Sequence, residues 1–138
     1  MSGRAPAVVG VCAVLLAGCG AGKEKTPAPG VVIGHDTVRG AQQAASASAD
    51  GGEYSTFAAR VTASPNQRVT GGWVITCRNF NSTSRDAGDF ARRTPFTVRM
   101  DTTNADAQRA GGGATCTVVA TASLTRSGRV TVKLLGGQ

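Results

Sequence analysis

Five stretches in the last 86 residues of this chain alternate apolar and polar side chains with a period of two. Phe57, Ala59, Val61 and Ala63 alternate with Thr56, Ala58, Arg60 and Thr62. Val69, Gly71, Trp73, Ile75 and Cys77 alternate with Thr70, Val74, Thr76 and Arg78. Phe96, Val98 and Met100 alternate with Thr97 and Arg99. Cys116, Val118, Ala120, Ala122 and Leu124 alternate with Thr117, Val119, Thr121 and Ser123, and Val130, Val132 and Leu134 with Arg129, Thr131 and Lys133. Successive side chains of a strand point to opposite faces, so this period describes half-buried β-strands and not helices. The Thr and Val content agrees, since branched side chains suit the pleated surface. The expected fold is all-β, a small antiparallel sandwich or an incomplete barrel.

The punctuation between these stretches sets the connections. Ser64-Pro65-Asn66 separates the first two, and Arg126-Ser127-Gly128 predicts a hairpin between the last two. Gly71-Gly72 inside a strand marks a bulge or a close approach of backbones. Two connections are long, residues 79–94 and 101–113, and either has room for a short edge strand. At 138 residues the chain has length for one domain, and its aromatic content of 4 % predicts a thin core of small side chains.

The N-terminus has a different character. Arg4 provides a short positive region, and Val8, Val9, Val11, Cys12, Ala13, Val14, Leu15 and Leu16 form the apolar stretch of an export signal. The run Leu16-Ala17-Gly18-Cys19 matches all four positions of the bacterial lipobox and resembles that of bacterial lipoproteins, over the first 19 residues of the chain. The resemblance implies that residues 1–18, Cys12 among them, are removed as a signal peptide. It also implies that the sulfur of Cys19 receives the diacylglyceryl group. Two acyl chains, each buried methylene contributing about 0.8 kcal/mol, would make the attachment durable. The protein would then be anchored on the extracytoplasmic face of the cell membrane without spanning it.

Residues 19–52 read as the lipidated cysteine and a flexible linker, rich in Gly, Ala, Ser, Pro and Gln without an apolar period. Val31-Val32-Ile33 interrupts it, as a strand docked on the domain edge or as an apolar spot in the linker. His35, the one histidine, reads as a solvated side chain of this segment. The folded domain is thus expected over residues 53–138.

Cys77 and Cys116 both fall on the inward face of their strands. Outside the cytosol such a pair is expected to be oxidised to a disulfide. The layout loosely resembles an immunoglobulin sandwich. Trp73 precedes Cys77 by four and no Tyr stands two before Cys116, so no functional residue carries over.

Little in the domain suggests catalysis, and no enzyme, cofactor or metal centre is expected. Residues 53–138 lack His, which removes the Ser-His-Asp and Cys-His mechanisms. Asp86 and Asp89, crowded by Arg85, Arg92 and Arg93, read as an ion-pair cluster within a loop. Charge is more informative: residues 53–138 carry eleven Lys and Arg against five acids. Arg60, Arg78, Arg99, Arg129 and Lys133 occupy polar-face positions, and neighbouring strands would unite them in a basic, Thr-rich face. That face is the candidate contact for anionic lipid headgroups or a cell-wall polymer. The segment from Arg78 to Arg93 is a second candidate surface. Nucleic acid is not expected, because no aromatics interleave with the arginines. Phe80 and Phe90 read as a small satellite core under the long loop. The expected function is a lipid-anchored, non-catalytic interaction module. The alternative is an inhibitor or accessory subunit of a cell-envelope enzyme, with its contacts on the long loops.

Overall fold

The computed structural model describes residues 30–138; the expected signal segment 1–18 and Cys19 lie outside the described residues. Eight strands and one helix follow in order: β1 (Val31–Arg39), β2 (Ala44–Asp50), β3 (Thr56–Ser64), β4 (Arg68–Arg78), β5 (Thr83–Arg93), β6 (Phe96–Arg99), α1 (Thr103–Ala110), β7 (Thr115–Leu124) and β8 (Arg129–Gly137). They form two open antiparallel sheets, ordered β1-β8-β3-β6 and β2-β7-β4-β5. Neither sheet closes on itself, so the fold is a β-sandwich.

The alternating stretches supply β3, β4, β6, β7 and β8, and their apolar faces meet between the sheets. Phe57, Val61, Val69, Ile75, Val118, Val130, Val132 and Leu134 are fully buried or nearly so. Alanines 45, 47, 59, 120 and 122 fill the rest of this core. Because Ala adds little volume, much of the packing rests on Phe57, Phe90, Phe96 and Trp73. Gly88 lies opposite Trp73 across the β4–β5 ladder, and a Cβ on Gly88 would stand 2.7 Å from the indole. The missing side chain lets the indole lie flat over β5.

Among the described residues only β4 and β5 form a hairpin, and every other consecutive pair of strands lies in opposite sheets. The expected hairpin at Arg126-Ser127-Gly128 is therefore corrected: the chain there crosses from one sheet to the other. Turn residues report that a chain reverses, not whether it returns beside itself or across the core. Gln67 ties the crossings at this end together. Its buried side-chain amide accepts a hydrogen bond from the Arg126 amide at 3.0 Å and donates to the Ser127 carbonyl at 3.2 Å. Its main chain accepts from the Thr94 amide at 3.0 Å and donates to the Thr94 hydroxyl at 3.1 Å.

The folded domain already includes Val31 and does not start at residue 53. Residues 31–50, expected in the linker, are β1 and β2, and the apolar triplet does open a strand at a sheet edge. Ala45 and Ala47 are buried while Ser46 and Ser48 are exposed, a period of two written in residues too small to announce a core. In β1 the pattern is broken by a register shift between Val32 and Gly34 and by an inward Asp36. The Asp36 carboxylate accepts from the Ser46 amide at 2.9 Å, giving an edge N–H of β2 a partner across the seam between the sheets.

The long connections are also ordered. Residues 79–94 contain β5, an edge strand of 11 residues, and residues 101–113 contain α1, an 8-residue helix in place of an edge strand. Gly71-Gly72 is a close approach: a Cβ on Gly71 would fall 1.9 Å from the Thr121 carbonyl oxygen, and the ladder runs through both glycines in register.

Candidate functional site: a cationic sheet face

The outer face of the β1-β8-β3-β6 sheet gathers most of the predicted basic residues into rows set by register. One row runs Arg39, Arg129, Ser64. The next same-face row is Thr37, Thr131, Thr62, and the one after is His35, Lys133, Arg60, Thr97. A fourth, Leu135, Ala58, Arg99, borders the patch. The cations are exposed, and none of the residues in these rows is a carboxylate.

The geometry follows from strand dimensions. Residues directly opposite on neighbouring strands stand about 5 Å apart at the backbone, so Arg39 and Arg129 form one cationic pair and Lys133 and Arg60 another. The pairs are four positions apart along β8, roughly 14 Å at the strand rise. Between them lies a row of hydroxyls in which Thr37 and Thr131 are joined Oγ1 to Oγ1 at 2.9 Å. At the Arg39 end a cleft of about 410 Å³ is lined by Arg39, Gly40, Ser64, Ser127, Gly128 and Arg129. Its floor is held by the Gly40 amide donating to the Gly128 carbonyl at 2.8 Å.

Like charges directly opposite on a sheet repel. Two such pairs, spaced by hydroxyls and rimmed by a cleft, are what an extended anion with repeated charge would neutralise. Guanidinium groups offer forked donors to phosphate or carboxylate, and the threonines offer single hydrogen bonds to sugar or polyol hydroxyls.

Of the five predicted residues, Arg60, Arg99, Arg129 and Lys133 lie on this sheet, and Arg78 does not. Arg78 ends β4 in the opposite sheet, so the single face expected to unite all five is corrected to a face of four. Strand alternation specifies which side of its own sheet a residue takes, but not which sheet. Arg39 and His35 join the face through β1, a segment whose composition points to a linker. The one signal for them was the Val31-Val32-Ile33 triplet, and the register shift obscured what followed.

The Arg78 to Arg93 segment is not one surface. Arg85 projects from the outer face of the other sheet, while the Arg92 guanidinium lies 5.0 Å from the Phe96 ring centre. Asp86 and Asp89 face opposite sides of β5, which corrects the ion-pair cluster. The Asp86 carboxylate instead accepts from the Asn104 amide at 3.0 Å and the Ala105 amide at 2.8 Å, at the N-terminus of α1. Phe90 joins the main core edge-on to Phe96, with ring centres 5.2 Å apart, and Phe80 is 98 % exposed, so no satellite core forms under that segment.

Cys77 and Cys116 form a disulfide and sit directly opposite each other on β4 and β7, within one sheet. Arg109 of α1 packs beside it, its Nε donating to Cys116 Sγ at 3.3 Å and its Nη1 to the Tyr54 carbonyl at 2.7 Å. No family model and no curated protein matches the chain.

Proposed function

We propose that this protein is an extracytoplasmic lipoprotein, anchored through Cys19, whose sandwich is a non-catalytic binding module for a polyanion. The observation that carries the binding role is the run of cationic rows on the β1-β8-β3-β6 sheet, in which no carboxylate offsets Arg39, Arg129, Arg60 and Lys133. The anchor rests on the lipobox residues Leu16, Ala17, Gly18 and Cys19.

The ligand chemistry is a repeated phosphate or carboxylate on a flexible chain. It has two sources in a cell envelope: anionic lipid headgroups and anionic wall polymers. The Cys19→Ala chain, which cannot be acylated, separates them by co-sedimentation at low and high salt. Binding to wall fragments but not to phosphatidylglycerol vesicles assigns the polymer; the reverse assigns the headgroup. Either binding should weaken steeply with salt and fall about tenfold in Arg60→Gln/Lys133→Gln. Binding to neither at low salt overturns the role of the face. Intact mass of the wild-type protein extracted from membranes tests the anchor independently.

A further inference from the structure

The large apolar side chains left exposed among the described residues are Val31 at 53 %, Val32 at 48 % and Phe80 at 98 %. The topology puts all three at one end of the sandwich. β1 starts there opposite the end of β8, through Val31 and Gly136, and β3 starts there opposite the same strand through Thr56 and Gly137. β2 ends there and feeds β3 through residues 51–55. Cys77 and Cys116 mark the same end of the second sheet, and beyond them β4 turns into β5 through residues 79–82. Val31 and Val32 sit on the β1 edge and Phe80 between β4 and β5, toward opposite corners of this end.

Phe80 is held out by an ordered tip. The Asn79 side-chain oxygen accepts from the Asn81 amide at 2.9 Å, the Ser82 amide at 2.8 Å and the Ser82 hydroxyl at 3.3 Å. The Asn79 amide donates to the Ser82 carbonyl at 2.9 Å. Gln108 of α1 then ties the tip down, its Nε2 donating to the Ser82 carbonyl at 3.0 Å and hydroxyl at 2.9 Å. A hairpin tip fastened this way presents its aromatic ring with little backbone left to order on binding. Arg78 and Arg85 flank it on the outer face of the same two strands.

The chain reaches this end from Cys19. Cys19 and Val31 are twelve positions apart in the chain, a reach of at most about 42 Å when fully extended. An aromatic ring beside arginines is the combination that settles at a bilayer's headgroup boundary, with the ring in the apolar layer and the guanidinium on lipid phosphate.

We propose that this end of the sandwich is a second membrane contact, in which Phe80, with Val31 and Val32 at the far corner, seats on the leaflet that holds the Cys19 lipid. The proposal rests on the lipoprotein reading. It turns the Arg39–Arg129 cleft, at the opposite end of the molecule, away from the bilayer, so of the two ligand sources it leaves that cleft the wall polymer.

The test uses the full, acylated chain carrying Phe80→Trp, reconstituted into equimolar phosphatidylglycerol–phosphatidylcholine vesicles. Trp73, buried to 8 % exposure, provides the background emission in the parent protein. The introduced indole is expected to emit to the blue, to resist iodide and to lose about half its intensity to brominated acyl chains. Emission that iodide quenches and brominated lipid does not would overturn the contact. An indole shielded from iodide only when envelope proteins are added would also overturn it, by assigning Phe80 to a protein pocket. Intact mass separates the two levels: an unacylated Cys19 overturns both the anchor and this contact, while acylated protein with an iodide-accessible indole overturns the contact alone.

Discussion

Arg60 of β3 and Lys133 of β8 stand directly opposite each other on the outer face of one sheet, with His35 on the far side of Lys133. Two cations in that position repel, and the exposed pair gains nothing from burial to offset it. Lys133→Glu should therefore stabilise the domain by about 0.5 kcal/mol, seen as a higher urea midpoint with an unchanged slope. The same substitution should weaken polyanion binding. A variant both more stable and equally able to bind would show that the charge pair has no functional role.

The limits of the sequence show in particular residues. The strands with Phe, Val, Ile and Leu on their inner face were legible because contrast between the faces was high. β2 has the same period in Ala45, Ser46, Ala47 and Ser48, but alanine occurs on surfaces and in cores alike, so nothing marked it as buried. β5 is hidden for a different reason: its inward positions Ser84, Asp86, Gly88 and Phe90 include a single large apolar side chain, so no apolar period marks the strand. Gly88 makes room for Trp73 and Asp86 receives a helix, and neither role has a local pattern. For the site, side-chain direction was readable and sheet membership was not, which is why Arg60 and Lys133 are united and Arg78 is set apart.

Asp86 joins β5 to α1 by taking two amide protons of the helix's first turn. Asp86→Ala should cost about 1–3 kcal/mol, because those amides lose both a partner and a favourable charge at the positive end of the helix. Asp89→Ala, three residues away on the opposite face, should stay within about 0.5 kcal/mol. Urea unfolding gives the energies, and faster hydrogen exchange at Asn104 and Ala105 would localise the loss. Equal effects at Asp86 and Asp89 would argue against the capping role.

Asp101 titrates below the ordinary value of 3.8, because the Thr103 hydroxyl, and after it the Thr103 amide, donate to its carboxylate. The sign follows from that direction. A carboxyl lowered on folding contributes stability that is present above its unfolded value and disappears as pH falls through the lower, folded one. Its influence is thus confined to the acid limb below pH 3.8. Thr103→Val removes the larger of the two donors, so the Asp101 carboxyl resonance should titrate at higher pH than in the parent. An unmoved titration would assign the shift to the amide alone.

The Cys77–Cys116 bond closes a loop with a sequence separation of 39. On the chain-entropy account this restricts the unfolded state by about 4 kcal/mol, large for a core filled with alanine. Cys77→Ala/Cys116→Ala should lose stability on that scale in urea, and reductant should destabilise the parent but not the double variant. A loss below about 1 kcal/mol would show that the sandwich does not depend on the crosslink.

Gln67 satisfies its buried amide on the far side of the molecule from that bond, against Ser127 and Arg126 where the chain crosses into β8. Gln67→Ala removes these two bonds and a longer one to the Pro65 carbonyl at 3.4 Å, and leaves a void between three crossings, which should cost about 2–4 kcal/mol. Gln67→Glu keeps the shape and the acceptor but cannot donate to the Ser127 carbonyl, and it buries a charge, so it should be at least as damaging. The crossing also forms the wall of the Arg39–Arg129 cleft through Ser127 and Gly128. Both variants should therefore weaken polyanion binding under conditions where circular dichroism still reports a folded sheet. Destabilisation with binding intact would place the ligand nearer Lys133 and Arg60 than the cleft.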